Sequence, residues 1–204
     1  MSSVPGMLLI MGNASIEILQ INLHHCHEAV ASLCHRLTKM QTKITLIQEP
    51  YVYKERIRGL DMCGKLYYAD KSPRAAVLIS NDVKAWPLDN YTTRDMAAVR
   101  TSWTKGDVIF ASVYMAHDRE CPPKELDSLV GHCEAKNLPL IIGTDCNAHH
   151  PAWGSTNINP RGDQLLEYVL ASKLHVLNKG SSPTFVVANR SEVLDITLAS
   201  NSIL

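Results

Sequence analysis

Six polar side chains stand at or just beyond the ends of apolar, strand-like runs, where a protein core would not choose them. They are Asn22, Glu49, Tyr114, Asp145, Asn147 and Asp195. In layered α/β domains, rigid strands hold the residues at their ends in a fixed geometry, so catalytic and ligand-binding groups collect there. We therefore expect these carboxylates and amides to converge on one site.

The chemistry of such a set is that of a hard cation. Carboxylate and amide oxygens without thiolates suit Mg²⁺, which is commonly held by one or two carboxylates and leaves the rest of its shell to water and substrate phosphate. Phosphodiester hydrolysis is the natural reaction, because the metal neutralises charge on the phosphate while a second carboxylate orients or deprotonates water. The sequence therefore predicts a phosphodiester hydrolase that uses Mg²⁺ or Mn²⁺.

Each acid also has a purely structural interpretation. Glu49 precedes a proline and can be an exposed strand end. Asp145 and Asn147 can form an ordinary turn, since both residue types bond to nearby backbone. Asp195 can face solvent on an alternating strand. The pattern alone leaves these alternatives open.

The histidines offer a competing metal site. Five of the nine fall in two short stretches, namely His24, His25, His27, His149 and His150. A zinc hydrolase built on His149, His150 and Asp145 is one alternative, although loop histidines with no metal are commoner. The chain has no His-Glu-x-x-His helix, no Gly-x-Ser-x-Gly elbow and no glycine-rich phosphate loop, which disfavours zincins, serine hydrolases and nucleotide-driven enzymes.

Composition sets the class of protein. The 204 residues are 46% hydrophobic and 20% charged, which predicts one globular domain with a sizeable core. Lys plus Arg and Asp plus Glu each sum to 20, so the net charge of zero argues against binding nucleic acid by bulk electrostatics. Aromatic residues make up only 6%, too few for rows of base-stacking side chains.

Cysteines and hydropathy predict the compartment. The six cysteines are scattered without a Cys-x-x-Cys pair, a pattern typical of reduced, mostly buried thiols in an intracellular protein. No basic leader or run of about 20 apolar residues is found, so we expect neither a signal peptide nor a membrane span. A cytoplasmic or nuclear protein is the expectation.

Hydrophobic periodicity predicts alternating strands and helices. Helices are expected around Val30 to Leu37, after Pro122 and after Pro160, and no repeat or linker divides the chain. An α/β layered domain follows. The predicted strands are 16–22, 43–48, 75–79, 107–114, 138–143, 175–178 and 193–198.

Five motifs together resemble a known family. They are Leu19-Gln20-Ile21-Asn22, Gln48-Glu49-Pro50, Val113-Tyr114, the run Gly143-Thr144-Asp145-Cys146-Asn147-Ala148-His149-His150, and Leu194-Asp195-Ile196-Thr197-Leu198. Their order and spacing resemble the apurinic-endonuclease-like domain of non-LTR retrotransposons, within the endonuclease/exonuclease/phosphatase superfamily. Residues 147–155 and 159–162 look specifically like arthropod elements that insert into telomeres and ribosomal DNA. The resemblance runs from about Glu17 to the last residue.

The resemblance implies a fold and an activity. The fold is a four-layer α/β sandwich of two packed mixed sheets flanked by helices, with the site at one end, as one domain over residues 1–204. The activity is nicking of target DNA, which frees a 3′-hydroxyl to prime reverse transcription by the element's own polymerase.

The resemblance also implies residue roles. Glu49 binds the metal with help from Asn22, and Asp145 positions or activates water. Asn147 holds the scissile phosphate, Tyr114 bonds near it, and Asp195 orients a catalytic histidine.

Two departures from the family pattern stand out. Met115-Ala116-His117 replaces the family's Ala-Pro-Asn, so His117 stands where an asparagine often contacts DNA. The Ser-Asp-His motif expected on a final strand about twenty residues beyond Asp195 is absent, so the resemblance implies a domain truncated at its C-terminus and lacking its last strand.

The implied partners are double-stranded DNA and the reverse transcriptase domain of the same polyprotein, with no membrane, in the nucleus. Candidate DNA contacts are Arg161, His117 and Thr184, the last within residues 181–190, which with residues 51–65 are candidate groove loops. Five arginines would have to gather on the site face to offset the neutral charge, namely Arg74, Arg94, Arg100, Arg161 and Arg190. Two other functions stay open: a catalytically inactive DNA-docking module, and a phosphodiesterase or phosphatase of small substrates.

Overall fold

The computed structural model describes residues 7–11 and 14–203. Over these residues the chain forms three α-helices: α1 (His27–Lys39), α2 (Lys124–Ala135) and α3 (Pro160–Ala171). The strands are β1 (Met7–Met11), β2 (Ala14–Asn22), β3 (Thr42–Gln48), β4 (Val52–Tyr53), β5 (Arg56–Ile57), β6 (Lys65–Tyr67), β7 (Ala75–Ile79), β8 (Lys84–Pro87), β9 (Met96–Trp103), β10 (Gly106–Tyr114), β11 (Leu140–Asp145), β12 (Leu174–Val176), β13 (Phe185–Val187), β14 (Arg190–Glu192) and β15 (Asp195–Ser200).

The strands build two mixed sheets. The first has the order β1-β2-β3-β7-β6 and the second the order β12-β15-β11-β10-β9-β8. Each sheet contains one parallel pair, β2 with β3 and β10 with β11, and is antiparallel elsewhere. The two parallel pairs end at the same edge of the molecule, which brings the ends of four strands together.

Three apolar clusters define four layers. Between the sheets, residues such as Ile18, Leu46 and Phe110 pack face to face. On the outside of the first sheet, α1 covers it through residues such as Val30 and Leu33. Helices α2 and α3 cover the outside of the second sheet. The predicted mixed α/β sandwich of two packed sheets flanked by helices is confirmed.

Most predicted elements are present, with shifted ends. β11 ends at Asp145, not at Gly143, because Asp145 still pairs with both Tyr114 and Asp195. β15 begins at Asp195, not at Val193, because the backbone N–H of Leu194 bonds to the Thr184 hydroxyl instead of to a neighbouring strand.

β9 was not predicted from the sequence. Its first half, Met96–Val99, is buried on both faces and therefore shows no alternation. Two of these residues are alanines, which are uncommon in strands. The pairs β4–β5 and β13–β14, each of two or three residues per strand, also escaped prediction.

The start of α3 is fixed by a side-chain cap. Asn159 Oδ1 accepts hydrogen bonds from the N–H of Gly162 at 2.7 Å and from the N–H of His149 at 3.1 Å. A Cβ at Gly162 would overlap the carbonyl oxygen of His149, so only glycine allows this approach. The cap therefore ties α3 to the loop that follows Asp145. Among the residues that the structure describes, no helix is long and apolar enough to cross a membrane.

Candidate active site

The strand ends bring the predicted polar residues into one cleft between the sheets. In the first sheet Asn22 pairs with Gln48, which places Glu49 one residue beyond it. In the second sheet Asp145 lies between Tyr114 on one side and Asp195 on the other. The prediction that these residues converge is confirmed.

A buried polar seam below the cleft joins the two sheets. The Gln48 side-chain amide donates to Ser112 Oγ at 2.9 Å and to the carbonyl of Gly143 at 3.0 Å. The Gln20 amide donates to the carbonyl of Thr144 at 3.0 Å. Hydrogen bonds between buried groups are directional, so this seam sets the distance between the two halves of the cleft.

Asp145 is buried and bonded through both oxygens. Asn22 Nδ2 donates to Oδ2 at 2.8 Å, and the N–H of Asn147 donates to Oδ1 at 3.2 Å. The turn that was the purely structural interpretation of Asp145 is therefore present. It uses only Oδ1, so Oδ2 remains in the cleft. Burial raises the pKa of Asp145 to about 6, and the charge of Glu49 adds to this effect.

Asp195 is not the solvent-facing acid of the structural alternative, because only 4% of it is exposed. Its N–H donates to Thr184 Oγ1 at 2.9 Å, and its Oδ1 is buried with no hydrogen-bond partner. Burial, followed by the charge of Asp145, raises the pKa of Asp195 to about 8.

Glu49 lies between two histidines that the sequence argument had not placed here. His24 Nδ1 is 3.5 Å from Glu49 Oε2, and His25 Nε2 is 3.6 Å from Oε1. The His24 contact lowers the pKa of Glu49, and Glu49 in turn raises the pKa of His24. His24 is also within electrostatic reach of Asp195 and Asp145. Both histidines lie within three residues of the strand-end Asn22, which was the signal available in the sequence.

Backbone conformation supports these positions. His24, His25, Glu49 and Asn147 all have left-handed φ values, between 46° and 52°. Residues other than glycine adopt this region at a cost that the surrounding structure must compensate, and such residues cluster at functional sites.

Tyr114 and Asn147 complete the cleft. Asn147 Nδ2 donates to the carbonyl of Met115 at 3.1 Å. The phenol of Tyr114 is half-buried; desolvation and then the charges of Glu49 and Asp145 raise its pKa. Tyr114 therefore stays protonated at neutral pH and can donate a hydrogen bond into the cleft.

The predicted DNA contacts fall in different places. His117 is exposed beyond Tyr114. Arg161 is turned inward: its guanidinium donates to the carbonyls of Cys146 and Arg119, which ties together two loops at the site. Thr184 is buried beside Asp195 and holds the start of β15. Contacts from these three residues to DNA remain predictions.

The five arginines do not all gather at the site. Arg74 stacks on Tyr114, whereas Arg100 pairs with Asp107 and lies over the ring of Trp86. Arg100 lies opposite Ile109, five residues before Tyr114 on β10 and so about 16 Å from the end of that strand. Arg100 therefore does not meet the condition set for a basic site face, because its position in mid-strand carries it away from the cleft.

The zinc alternative is not supported. The buried His149 contacts Asn157 through Nδ1 at 2.7 Å and also contacts Arg190, while His150 Nδ1 accepts the N–H of Ala152. Within residues 7–11 and 14–203, no three His, Cys, Asp or Glu side chains are grouped as metal ligands. The His149 environment is a polar network under the β13–β14 pair.

The donor set fits a hard cation that keeps part of its water shell. Three carboxylates face one cleft; burial, and then the charges of neighbouring carboxylates, raise the pKa values of Asp145 and Asp195. Glu49 and Asn22 would hold the ion, Glu49 through a carboxylate with a lowered pKa that is ionised at neutral pH. Such few-ligand oxygen sites are the kind that Mg²⁺ uses.

Comparison with known proteins finds relatives of similar sequence and fold. Residues 108–204 match a family model described as endonuclease-reverse transcriptase. The solved endonuclease domain of TRAS1, a telomere-specific non-LTR retrotransposon, superposes with a TM-score of 0.77 at 27% identity, over 91% of this chain and 85% of that one. The chain is therefore similar, in its second half by sequence and over most of its length by fold, to endonuclease domains of retrotransposons.

Two further solved structures share the fold at lower identity. A family protein from Leptotrichia buccalis superposes with a TM-score of 0.60 at 14% identity, over 91% of this chain and 88% of that one. The human Nocturnin catalytic domain gives a TM-score of 0.60 at 13% identity, over 97% and 86%. At these identities the similarity shows the fold alone.

A longer relative comes from Drosophila melanogaster. The putative 115 kDa protein of the type-1 retrotransposable element R1DM is 24% identical over 199 residues, which is 91% of this chain and 19% of that protein. The chain thus spans about a fifth of this relative's length. Its sequence and fold are similar to the endonuclease domains of non-LTR retrotransposons.

Proposed function

We propose that this chain is a divalent-metal-dependent DNA endonuclease domain that nicks target DNA to prime reverse transcription of a retrotransposon. The observation that carries the proposal is the convergence of Glu49, Asp145 and Asp195 on one cleft, with Asn22 bonded to Asp145. Like charges held together cost stability unless a cation or a bound substrate uses them. The 27% identity to the TRAS1 endonuclease domain supports DNA as the substrate.

In the proposed reaction each side chain has one task. Asp145, with a pKa raised to about 6, accepts the proton of the attacking water, because a base is most effective when its pKa lies near the working pH. Asn22 and the N–H of Asn147 fix the orientation of that carboxylate. Tyr114 donates a hydrogen bond toward the phosphate. A Mg²⁺ or Mn²⁺ ion held by Glu49 and Asn22 would supply charge neutralisation for the phosphate and leaving group.

The surroundings of the cleft suit a duplex. Residues 51–65 and 181–190 flank the site, and they include the exposed Tyr53 and Val187 on the β4–β5 and β13–β14 pairs. These projecting segments are our candidates for groove contacts. Action on a chromosomal target, next to a reverse transcriptase of the same polyprotein, places the proposed function in the nucleus.

A supercoiled-plasmid nicking assay tests the proposal. We expect nicking with Mg²⁺ and none with EDTA, and a loss of at least about 100-fold in Glu49→Ala and Asp145→Ala. Asp82→Ala is the matched control, because it removes an exposed acid that pairs with Lys43 away from the cleft; its rate should stay near wild type.

Other results would favour the alternative functions. A folded chain that binds duplex DNA but does not nick it in Mg²⁺ or Mn²⁺ would indicate a docking module. Hydrolysis of a small phosphodiester without any nicking would indicate a small-substrate phosphodiesterase.

A further inference from the structure

One ion pair joins the two sheets at the site end of the molecule. Arg74, just before β7 of the first sheet, donates through Nε and Nη2 to the two carboxylate oxygens of Asp95, both at 2.5 Å. Asp95 directly precedes β9 of the second sheet. The pair is two-pronged and largely covered, with 21% and 32% of the two side chains exposed. Pairs with this geometry are the strong, orientation-specific ones.

The same two residues also hold the backbone of two site residues. The N–H of Glu49 donates to the carbonyl of Arg74 at 2.9 Å. The N–H of Tyr114 donates to the carbonyl of Asp95 at 2.8 Å. The ion pair therefore closes a ring of contacts that runs from Glu49 through Arg74 and Asp95 to Tyr114, from one sheet to the other.

A third contact fixes the aromatic ring. The guanidinium carbon of Arg74 lies 4.6 Å from the centre of the Tyr114 ring. A planar cation stacked on an aromatic face restricts how that ring can rotate. Arg74 thus acts on Tyr114 through its side chain and on Glu49 through its carbonyl oxygen.

We propose that the Arg74–Asp95 pair is a positioning clamp, which sets the separation of Glu49 from Tyr114 and the orientation of the Tyr114 phenol. The structural part of this proposal is independent of the proposed nuclease function. Only the expected effect on kcat rests on that function. Arg74 is a positioning residue and touches no reacting atom. Lysine cannot replace it fully, because an ammonium group is a point charge without the planar fork that meets both oxygens and the ring at once.

Amide hydrogen exchange tests the clamp without any reference to activity. In Arg74→Gln and Asp95→Asn we expect the amides of Glu49 and Tyr114 to exchange about tenfold faster or more, while amides in the centre of β10 keep their rates. Arg74→Lys should give an intermediate result. The matched control is Arg100→Gln, which also removes an arginine that pairs with an aspartate and covers an aromatic ring, in the second sheet and away from the site.

Nicking kinetics test the consequence. Arg74→Gln should lower kcat about tenfold or more with KM nearly unchanged, and the same change in a Tyr114→Phe background should cost much less, because the two residues act through one contact. Arg100→Gln should keep the wild-type kcat. Equal losses in both backgrounds would overturn the proposal.

The two proposals fail in different ways. If the wild-type chain nicks no DNA, the proposed function fails and the exchange measurement alone decides on the clamp. If the wild type nicks and Arg74→Gln leaves both kcat and the exchange of Glu49 and Tyr114 unchanged, the clamp is overturned and the proposed function stands.

Discussion

Asp195 carries an electrostatic cost in the folded chain. Its carboxyl is buried beside Asp145, and one of its oxygens has no partner. In the unfolded chain an aspartate has a pKa of roughly 4, whereas the folded Asp195 keeps its proton to about pH 8. Between these pH values the folded state binds more protons, so the free energy of unfolding falls as pH rises.

The variant Asp195→Asn should remove much of this pH dependence of the free energy of unfolding. Measured by urea unfolding in EDTA, its free energy of unfolding should equal that of the wild type below about pH 4 and exceed it by about 2 kcal/mol or more near pH 8. Asparagine keeps an acceptor for the hydroxyl of Thr184, so the difference reports the charge. Asp82→Asn, at an exposed pair, is the control. Parallel curves for Asp195→Asn and wild type would show that the acid is not held protonated.

Individual residues of the site differ in whether the sequence alone could predict them. Asp145 and Asp195 were predictable because an acid at the end of an apolar strand is conspicuous. His24 and Arg74 were not, because their importance comes from contacts with Glu49 and Tyr114, which lie in other segments of the chain. Such contacts follow from sheet order, which the sequence pattern did not fix.

At the scale of elements, α3 is the helix most closely coupled to the site. Its cap, Asn159, also binds the N–H of His149 in the loop that follows Asp145. The fit depends on the absence of a side chain at Gly162. Changes at this helix start should therefore reach the loop that follows Asp145.

Two glycine-to-alanine substitutions separate the close contact between Gly162 and His149 from the general effect of alanine on helix stability. Gly162→Ala should destabilise the chain by about 2 kcal/mol or more, because its Cβ overlaps backbone and not a movable side chain. Gly131→Ala, in α2, meets nothing within 4 Å and should stabilise by up to about 1 kcal/mol. Thermal unfolding of the two variants gives the comparison. Equal shifts of the same sign would contradict the close approach of α3 to His149.

Elements differed in how well periodicity predicted them. The three helices and the strands 75–79 and 107–114 were anticipated because each has a clear apolar face or run. β9 was missed because burial on both faces removes the alternation, and the short pairs β4–β5 and β13–β14 are too brief to show any period.

At the scale of the whole molecule, the two sheets meet at a very close contact below the site. A Cβ at Gly143 would lie 2.8 Å from Leu46 Cδ1 of the facing sheet. Above this contact, the first sheet contributes Asn22 and Glu49 to the cleft and the second contributes Asp145 and Asp195. A cation held by Glu49 and Asn22 of the first sheet would offset the repulsion between Glu49 and the acids of the second sheet, and would thereby stabilise the fold.

Metal addition should show this stabilisation. At pH 8, saturating MgCl2 should raise Tm by roughly 5 °C relative to EDTA, because a ligand that binds only the folded chain shifts the unfolding equilibrium. Glu49→Gln should abolish the shift, and Asp82→Asn should keep it. An equal Tm in MgCl2 and EDTA for the wild type would count against a metal in this cleft.

The positions of the site residues along the chain also determine when the site can form during synthesis. Asn22 and Asp145, which bond directly, lie 123 residues apart in the sequence, and a ribosome delivers them at different times. Until the second sheet has folded against the first, a nascent chain presents Glu49 without the carboxylates across the cleft. An unfinished chain therefore lacks the full acid set, and with it the activity that we propose for this site.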